Sequence, residues 1–295
     1  MLSSTNFWMG FDGLVYLAAG VFVLRKEIGA ARGWDKLITL SSVFIAVSLV
    51  VFAPEHFRGP EFVQSMVPRW MPGPHWFWAY FVGCALLAAA TSLTVRKFVR
   101  LSSTLLGSMF FLFVCMIYLP SLLRHLTNRF AWIYFLRDLS FAAGAWALAG
   151  VEWRAASPQH SSSKQAKWMV LFARIVLAFA AIFYGVQHFL HPEFAPGVPL
   201  ELMTPSWVPF PAVWGYLTGT ILSAAGIGLA LNKQSRMAAA SIGAWMTVLT
   251  VFLYLIILIL ARGAPSINEA LNYVADTLLF AGSALALASA LPRES

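Results

Sequence analysis

The stretches EHFRGPEF (residues 55–62) and QHFLHPEF (residues 187–194) are two versions of one phrase, and each follows a long apolar run. Histidine, phenylalanine, proline and a Glu-Phe pair recur at one offset, since 188 − 56 and 193 − 61 both equal 132. Such a mixed phrase seldom repeats by chance in a chain of 295 residues. It therefore predicts an internal duplication, with the phrase at the end of a buried helix.

The composition predicts an integral membrane protein. Sixty per cent of the residues are hydrophobic and 11% are charged, whereas a soluble domain has about 25% charged residues. The mean hydropathy is +0.74, and several apolar runs reach the roughly 18 residues that mark a membrane span. The net charge of +8 comes from single Lys and Arg residues in short loops, which argues against binding of nucleic acid.

Apolar run lengths predict an all-α, polytopic membrane protein with about nine transmembrane helices. The predicted spans are residues 7–24, 37–56, 75–95, 101–120, 130–150, 168–189, 211–231, 237–261 and 270–290. They divide the chain into an N-terminal extra helix, a first four-helix repeat, a cytoplasmic linker and a second four-helix repeat. These units are residues 1–36, 37–152, 153–167 and 168–295.

Basic residues divide unevenly between alternate loops, and this predicts an orientation. One set has 13 members: Arg25, Lys26, Arg32, Lys36, Arg96, Lys97, Arg100, Arg154, Lys164, Lys167, Lys233, Arg236 and Arg293. The other has five: Arg58, Arg69, Arg124, Arg129 and Arg262. Because cytoplasmic loops are rich in Lys and Arg, we expect a plasma (bacterial inner) membrane protein whose N-terminus is outside and whose C-terminus is cytoplasmic.

The duplication extends beyond the opening phrase. The further pairs are VPRWMPGP (67–74) with TPSWVPFP (204–211), WAYFVG (78–83) with WGYLTG (214–219), and RDLSFAAGAWALA (137–149) with ADTLLFAGSALAL (275–287). Four spans per copy give both copies the same orientation, as in parallel repeats. Proline ends helices and Trp favours the headgroup level, so the Pro-Trp loops are predicted to be stiff lids on the outer surface.

Four repeated polar residues are the candidate site: His56, Asp138, His188 and Asp276. One interpretation is a polar pocket in each repeat, where His and Asp exchange protons beside a bound quinone. The other is a pair of clamps, in which His caps a helix end and Asp bonds to a neighbouring helix. Arg137 adjoins Asp138, but neighbours on a helix point in different directions, so we expect no pair between them.

Other chemistry has weaker support. His188, His191 and Glu193 form H-x-x-H-x-E, yet the first copy lacks the second His and Pro192 breaks the helix, so no metal site is predicted. Cys84 and Cys115 form no CxxC pair, and the sequence does not determine whether they bond to each other. There is no P-loop and no Ser-His-Asp order, so we do not expect enzymatic activity from this chain on its own.

Each repeat resembles the DoxX and DoxX-like superfamily of four-helix membrane proteins. The resemblance depends on EHF-x2-PEF and QHF-x2-PEF, each followed by a Pro-Trp loop. Its outer-loop residues are Glu61, Pro68, Trp70 and Pro72 in the first repeat, and Glu193, Pro205, Trp207 and Pro209 in the second. This chain differs from the family pattern because it is doubled, has an extra leading helix and lacks a CxxC pair.

The resemblance implies an accessory or quinone-interacting subunit of a membrane redox complex, with membrane lipids and other membrane subunits as partners. Quinone is the only cofactor that it implies. The alternatives are a non-enzymatic structural or chaperone-like subunit and a transporter of a small solute. We expect no charges in the middle of the membrane, and that expectation argues against transport.

Overall fold

The structure is a computed structural model that describes residues 3–58, 60–155 and 164–293, and this part of the chain is helical, with one isolated β-bridge, Phe194–Met203. Residues 156–163 of the predicted linker lie outside the described residues. The first five helices are α1 (Ser4–Ala30), α2 (Asp35–Thr39), α3 (Ser41–Arg58), α4 (Pro60–Met66) and α5 (His75–Val95).

The third helix of each repeat is interrupted by one turn of π-helix. In the first repeat the parts are α6 (Val99–Phe113), π1 (Val114–Tyr118) and α7 (Leu119–Arg124), followed by α8 (Arg129–Ala155). In the second they are α11 (Ser235–Leu249), π2 (Thr250–Tyr254) and α12 (Leu255–Leu260). The other helices of the second repeat are α9 (Lys164–Leu190), α10 (Pro211–Ala230) and α13 (Ala264–Ala290).

The helix lengths agree with an all-α polytopic membrane protein. Eight helices of the described chain are long and apolar enough to span a membrane. The other predicted span corresponds to α8, which is as long as α9 and α13 but contains the charged residues Arg137 and Asp138. These charges lower the hydropathy of α8 without shortening the helix.

The two repeats are interleaved rather than separate. Within each repeat, the first helix packs on the second (α3 on α5, α9 on α10) and the third packs on the fourth (α6 on α8, α11 on α13). The first helix of each repeat, however, packs along the fourth helix of the other, α3 on α13 and α9 on α8. The two fourth helices also pack on each other, and α1 packs on the outside of α3.

Small residues allow the closest helix contacts. A Cβ atom on Gly144 of α8 would collide with the backbone of Ser283 on α13. A Cβ atom on Gly219 of α10 would lie 3.0 Å from the carbonyl oxygen of Gly185 on α9. Gly219 belongs to the GxxxG pair with Gly215, which agrees with the close packing typical of this motif.

Contacts in the first halves of α8 and α13 place equivalent parts of the repeats on the same side. Glu55, near the end of α3, accepts from Asn268 near the start of α13. Tyr184, near the end of α9, donates to Ile133 near the start of α8. Arg137 of α8 meets Asp276 of α13, and Gly144 meets Ser283 at the same difference of 139 residues. The two helices therefore run parallel and their starts lie together. His56 and His188 are therefore at the same end of the bundle.

Candidate functional site

The centre of the bundle holds an ionic cluster that joins the two repeats. Arg137 of α8 donates from Nε to Oδ2 of Asp138 at 3.0 Å, and its Nη2 lies 3.0 Å from the same oxygen. Its Nη1 donates to Oδ2 of Asp276 on α13 at 3.2 Å. Only 17% of the Arg137 side chain is exposed, with 8% of Asp138 and 10% of Asp276. We call these three residues the central cluster.

The expectation that Arg137 and Asp138 would point apart was wrong. Adjacent Cβ atoms on a helix do differ in direction, but a guanidinium at the end of a long, flexible side chain can turn back to the neighbouring residue. Asp276 provides the reason to turn, because it lies across the α8–α13 contact and shares the same guanidinium. The sequence showed the two aspartates but not the cation between them.

The central cluster lies well inside the two helices that carry it. Arg137 is eight residues (137 − 129) from the start of α8, and Asp276 is twelve (276 − 264) from the start of α13. At 1.5 Å per residue these depths are about 12 and 18 Å. The helix α13 begins at Ala264 rather than residue 270, so Asp276 is more than three turns along it. Asp276 therefore lies near the middle of the 27-residue helix α13.

One guanidinium faces two carboxylates in this cluster, so its formal charge is −1 if both acids are ionised. Removing ions from water costs several kcal/mol each, and paired geometry offsets only part of that cost. Two aromatic rings also lie beside the guanidinium carbon, with centroids 5.4 Å (Tyr134) and 6.0 Å (Phe141) away. An intramembrane cluster of this kind is expensive and is by default a candidate functional site.

Tyr118 extends the central cluster toward the third helix. Its hydroxyl accepts from Nη2 of Arg137 at 3.4 Å, and it is the last residue of π1. Tyr254 is the last residue of π2, and 254 − 118 gives 136, the same offset as between WAYFVG and WGYLTG. Single π turns often occur at functional sites. This shared tyrosine was visible in the sequence as a matched position, but the π turns were not.

The lid of the second repeat enters the bundle instead of lying on its surface, so that prediction was wrong for this copy. Residues 193–204 form a hairpin in which Ala195 donates to Leu202 at 2.7 Å and Thr204 donates to Glu193 at 3.0 Å. Its tip, residues 195–200, is buried, and we call it the plug. The Val198 carbonyl accepts from Thr277 of α13 at 2.9 Å.

One peptide group of the plug is held from both sides. The Pro196 carbonyl accepts from the Tyr254 hydroxyl at 3.2 Å, and the next N–H, that of Gly197, donates to Nε2 of His188 at 3.0 Å. Nδ1 of His188 therefore carries the proton and donates to the Tyr184 carbonyl at 2.6 Å. The fully buried His188 is thus a clamp between α9 and the plug, and both of its ring nitrogens bond to backbone groups rather than to Asp276.

His56 has the same local geometry but no plug. Its Nδ1 lies 3.1 Å from the Phe52 carbonyl, which matches the bond from His188 to Tyr184. Within the described residues, Nε2 of His56 has no hydrogen-bond partner. The lid of the first repeat instead contains α4, and its residues from Glu61 to Trp70 are exposed or half-buried. The two candidate histidines therefore differ in what they hold.

The outer-loop residues of the resemblance lie mostly at the surface. Glu61, Trp70, Glu193 and Trp207 are exposed, and Pro68 and Pro205 are half-buried. The indole of Trp78 donates to the Pro72 carbonyl at 2.8 Å, and that of Trp214 donates to the Pro209 carbonyl at 3.1 Å. The loops of both repeats are thus closed by equivalent tryptophans at the start of the second helix.

Hydrogen bonding from its own backbone N–H, with a further contribution from His191, lowers the pKa of Glu193. Nδ1 of His191 lies 3.2 Å from a Glu193 oxygen, whereas both nitrogens of His188 are used by the backbone.

Among the described residues, no three His, Cys, Asp or Glu side chains form a group that could hold a metal ion. Cys84 and Cys115 are free thiols.

Two further polar contacts between the repeats were missed in the sequence. Oε1 of Glu55 accepts from the amides of Asn268 and Asn272, both at 2.9 Å. The Tyr134 hydroxyl on α8 donates to Glu201 beside the plug, and 272 − 138 gives 134, so Asn272 and Tyr134 are equivalent positions. Each fourth helix therefore uses the same position to bind the other repeat at the end of the bundle where the histidines lie.

A family model described as a domain of unknown function, DUF8561, matches residues 45–135. This segment runs from α3 into the first quarter of α8, so it includes Tyr118 but ends just before Arg137. No curated protein and no solved structure matches the chain.

Proposed function

We propose that this chain is a DoxX-like accessory subunit of a membrane redox complex and that it binds a quinone in its first repeat. The observation that carries the proposal is the difference between the two equivalent tyrosines. Tyr254 donates to a carbonyl of the plug, whereas Tyr118 has no partner but Arg137 within the described residues. A ligand carbonyl would take the place on Tyr118 that the Pro196 carbonyl takes on Tyr254.

The surroundings of Tyr118 suit a quinone head group. Tyr118 accepts from Arg137 and keeps its own hydroxyl hydrogen for an acceptor such as a ring carbonyl. Residues 115–120 are half-buried rather than sealed, so a lipophile can reach them from the membrane. Ligand sites are typically apolar with a few placed polar groups, and the central cluster supplies those groups here.

The decisive experiment measures bound quinone in protein purified from native membranes in mild detergent. Wild-type protein should carry quinone, Tyr118→Phe should carry severalfold less, and Tyr254→Phe should keep the wild-type amount because its hydroxyl faces the plug. Alanine at both Asp138 and Asp276 should also reduce quinone-dependent turnover of the native complex. Wild-type protein without quinone, or Tyr118→Phe with a full complement, would refute the proposal.

A structural or chaperone-like subunit is the second candidate, and the geometry of His188 favours it. Both of its ring nitrogens bind backbone groups, so in this repeat the histidine fixes packing and does not exchange protons with Asp276. A stable protein partner that co-purifies without any quinone would support this candidate over the first.

Transport of a small solute or proton is the third candidate. The central cluster favours it, because a buried group with an unequal number of acids and bases can take up a cation or proton. Flux measurements on the protein reconstituted in liposomes test this candidate. A proton or solute flux that Asp276→Asn abolishes would support transport, and the absence of flux would exclude it.

A further inference from the structure

The end of the bundle opposite the histidines contains a cavity of about 410 Å³. It lies where α1 and α2 join the eight helices of the repeats, and residues from α3, α8, α11 and α13 also line it. The polar residues that matter for its chemistry are Ser41, Ser42, Arg96, Arg236 and Arg293. Neither the central cluster nor the plug contributes to it.

Two serine hydroxyls in this cavity have no hydrogen-bond partner in the part of the chain that the structure describes. Ser41 is 4% exposed and Ser42 is 2% exposed, and within the described residues neither hydroxyl makes a hydrogen bond. The other lining hydroxyls do: Thr39 donates to the Asp35 carbonyl at 2.7 Å and Ser289 donates to the Ala286 carbonyl at 2.7 Å. The hydroxyls of Ser41 and Ser42 therefore have unused donors, and both residues line the cavity.

The charges of the lining favour an anion. Three guanidinium groups and the carboxylates of Glu27 and Asp35 line the cavity, which gives +3 − 2 = +1, and Glu152, the partner of Arg96, lies outside the lining. Arg236 and Arg293 each donate to one oxygen of Asp35, at 2.5 and 2.8 Å. Among the described residues, Arg96 has one ion-pair partner, Glu152 at 3.5 Å, and 78% of the Arg293 side chain is exposed. Both can therefore turn toward a ligand without a rearrangement of the helices.

We propose that this cavity binds a phosphate group, with the hydroxyls of Ser41 and Ser42 and the guanidinium groups of Arg96 and Arg293 as donors. Arginine recognises phosphate through paired N–H donors, and basic pockets between membrane helices are typical sites for anionic lipid head groups. A phospholipid and a soluble phosphate share this chemistry. The position of the cavity favours a phospholipid over a soluble phosphate, because the cavity lies beside α1, whose outer face is apolar and exposed.

The test uses the full chain in detergent and measures the melting temperature against added probe. The probes are a short-chain phosphatidylglycerol, inorganic phosphate and a detergent of the same chain length without phosphate. We expect a saturable increase with phosphatidylglycerol, and a half-saturation point at least about tenfold higher in Ser41→Ala/Ser42→Ala, because hydrogen bonds to charged groups are the stronger ones. The matched control is Ser103→Ala/Ser140→Ala, since both of these buried serines bond to their own helix.

The three probes distinguish the possible sources of the phosphate group. Stabilisation by phosphatidylglycerol alone identifies a lipid head group, and stabilisation by inorganic phosphate as well identifies the phosphate group itself as the ligand. If the double serine variant does not fold, Arg293→Gln replaces it, because that side chain is exposed and its loss should weaken binding without unfolding the protein. No saturable increase with either phosphate probe, or equal binding by wild type, the double serine variant and Arg293→Gln, would overturn the proposal.

Discussion

Arg137 on α8 and Asp276 on α13 form an ion pair at 3.2 Å that connects the fourth helices of the two repeats. Asp138, next to Arg137, shares the same guanidinium. The pair therefore lies where the equivalent fourth helices of the two repeats pack on each other. The two helices do not contribute equally, because Ala275 occupies the position of Arg137 in the second repeat (137 + 138 = 275). One cation serves both aspartates.

Removal of that cation should destabilise the protein strongly. Arg137→Met leaves two buried carboxylates without a partner, and breaking a buried ion pair in this way typically costs about 3–5 kcal/mol. We expect a clearly lower melting temperature in detergent. The triple variant Arg137→Met/Asp138→Asn/Asp276→Asn should recover most of the lost melting temperature, because no net charge is then buried. Wild-type stability of the single variant would show that the cluster contributes nothing to folding.

The two histidines should respond differently to the same substitution. His188→Ala removes the partners of the Gly197 N–H and the Tyr184 carbonyl, which should cost about 1–3 kcal/mol because both groups are buried. His56→Ala should cost less, since His56 bonds only to its own helix among the described residues. Limited proteolysis between residues 193 and 204 should be faster in His188→Ala alone. Equal effects of the two variants would contradict the role assigned to the plug.

Glu55 should tolerate glutamine but not leucine. Glu55→Leu leaves the amides of Asn268 and Asn272 without their acceptor, at a cost of about 1–3 kcal/mol. Glu55→Gln keeps an acceptor oxygen at this position, and Gln187 is the equivalent residue of the second repeat. Thermal unfolding of both variants tests this order. If Glu55→Gln is as unstable as Glu55→Leu, the contact depends on charge rather than on hydrogen bonding.

Alanine at two helical glycines should have opposite effects. Gly144→Ala places a Cβ atom against the backbone of Ser283 and separates α8 from α13, so the melting temperature should fall. Gly10→Ala meets no atom within 4 Å and should be neutral or stabilising, because alanine favours helix over glycine by about 1 kcal/mol. A Gly144→Ala variant that is as stable as Gly10→Ala would contradict the close approach of the two helices.

Thiol labelling from outside the cell tests the orientation. In a background without Cys84 and Cys115, an impermeant reagent should label Arg69→Cys and Ser206→Cys, which lie in the equivalent lids of the two repeats. Lys233→Cys, in the loop between α10 and α11, should be protected until the membrane is opened. Labelling of only one of the two lids from outside would contradict the parallel arrangement.

Apolar run lengths were sufficient to predict the helices, since each span must satisfy its backbone within the hydrocarbon. The ends of the helices were less certain, since α13 begins six residues before the predicted span (270 − 264). The prediction began too late because the polar residues Asn268, Glu269 and Asn272 are typical of a loop. Those asparagines bind Glu55, so a contact between helices keeps a polar turn helical.

The candidate site was predicted in part. The repeat identified His56, His188, Asp138 and Asp276, since matched offsets do not depend on the fold. It did not identify Arg137, which has no counterpart in the second repeat, or the plug, whose residues 195–200 differ from the first lid. A comparison of repeats detects what the copies share, and the chemistry of this bundle lies largely where they differ.

The sequence by itself determined the class of protein, an all-α polytopic membrane protein, because the length of apolar runs is a property of the chain alone. It also predicted two copies from the repeat offset. Only the tertiary structure decided which helices meet. The exchange of partners between repeats, α3 with α13 and α9 with α8, brings Arg137 to Asp276 and buries the peptide group of Pro196 and Gly197 between His188 and Tyr254. The physical reason is that these contacts join residues far apart in the chain, and no local periodicity encodes the side on which a helix meets a distant partner.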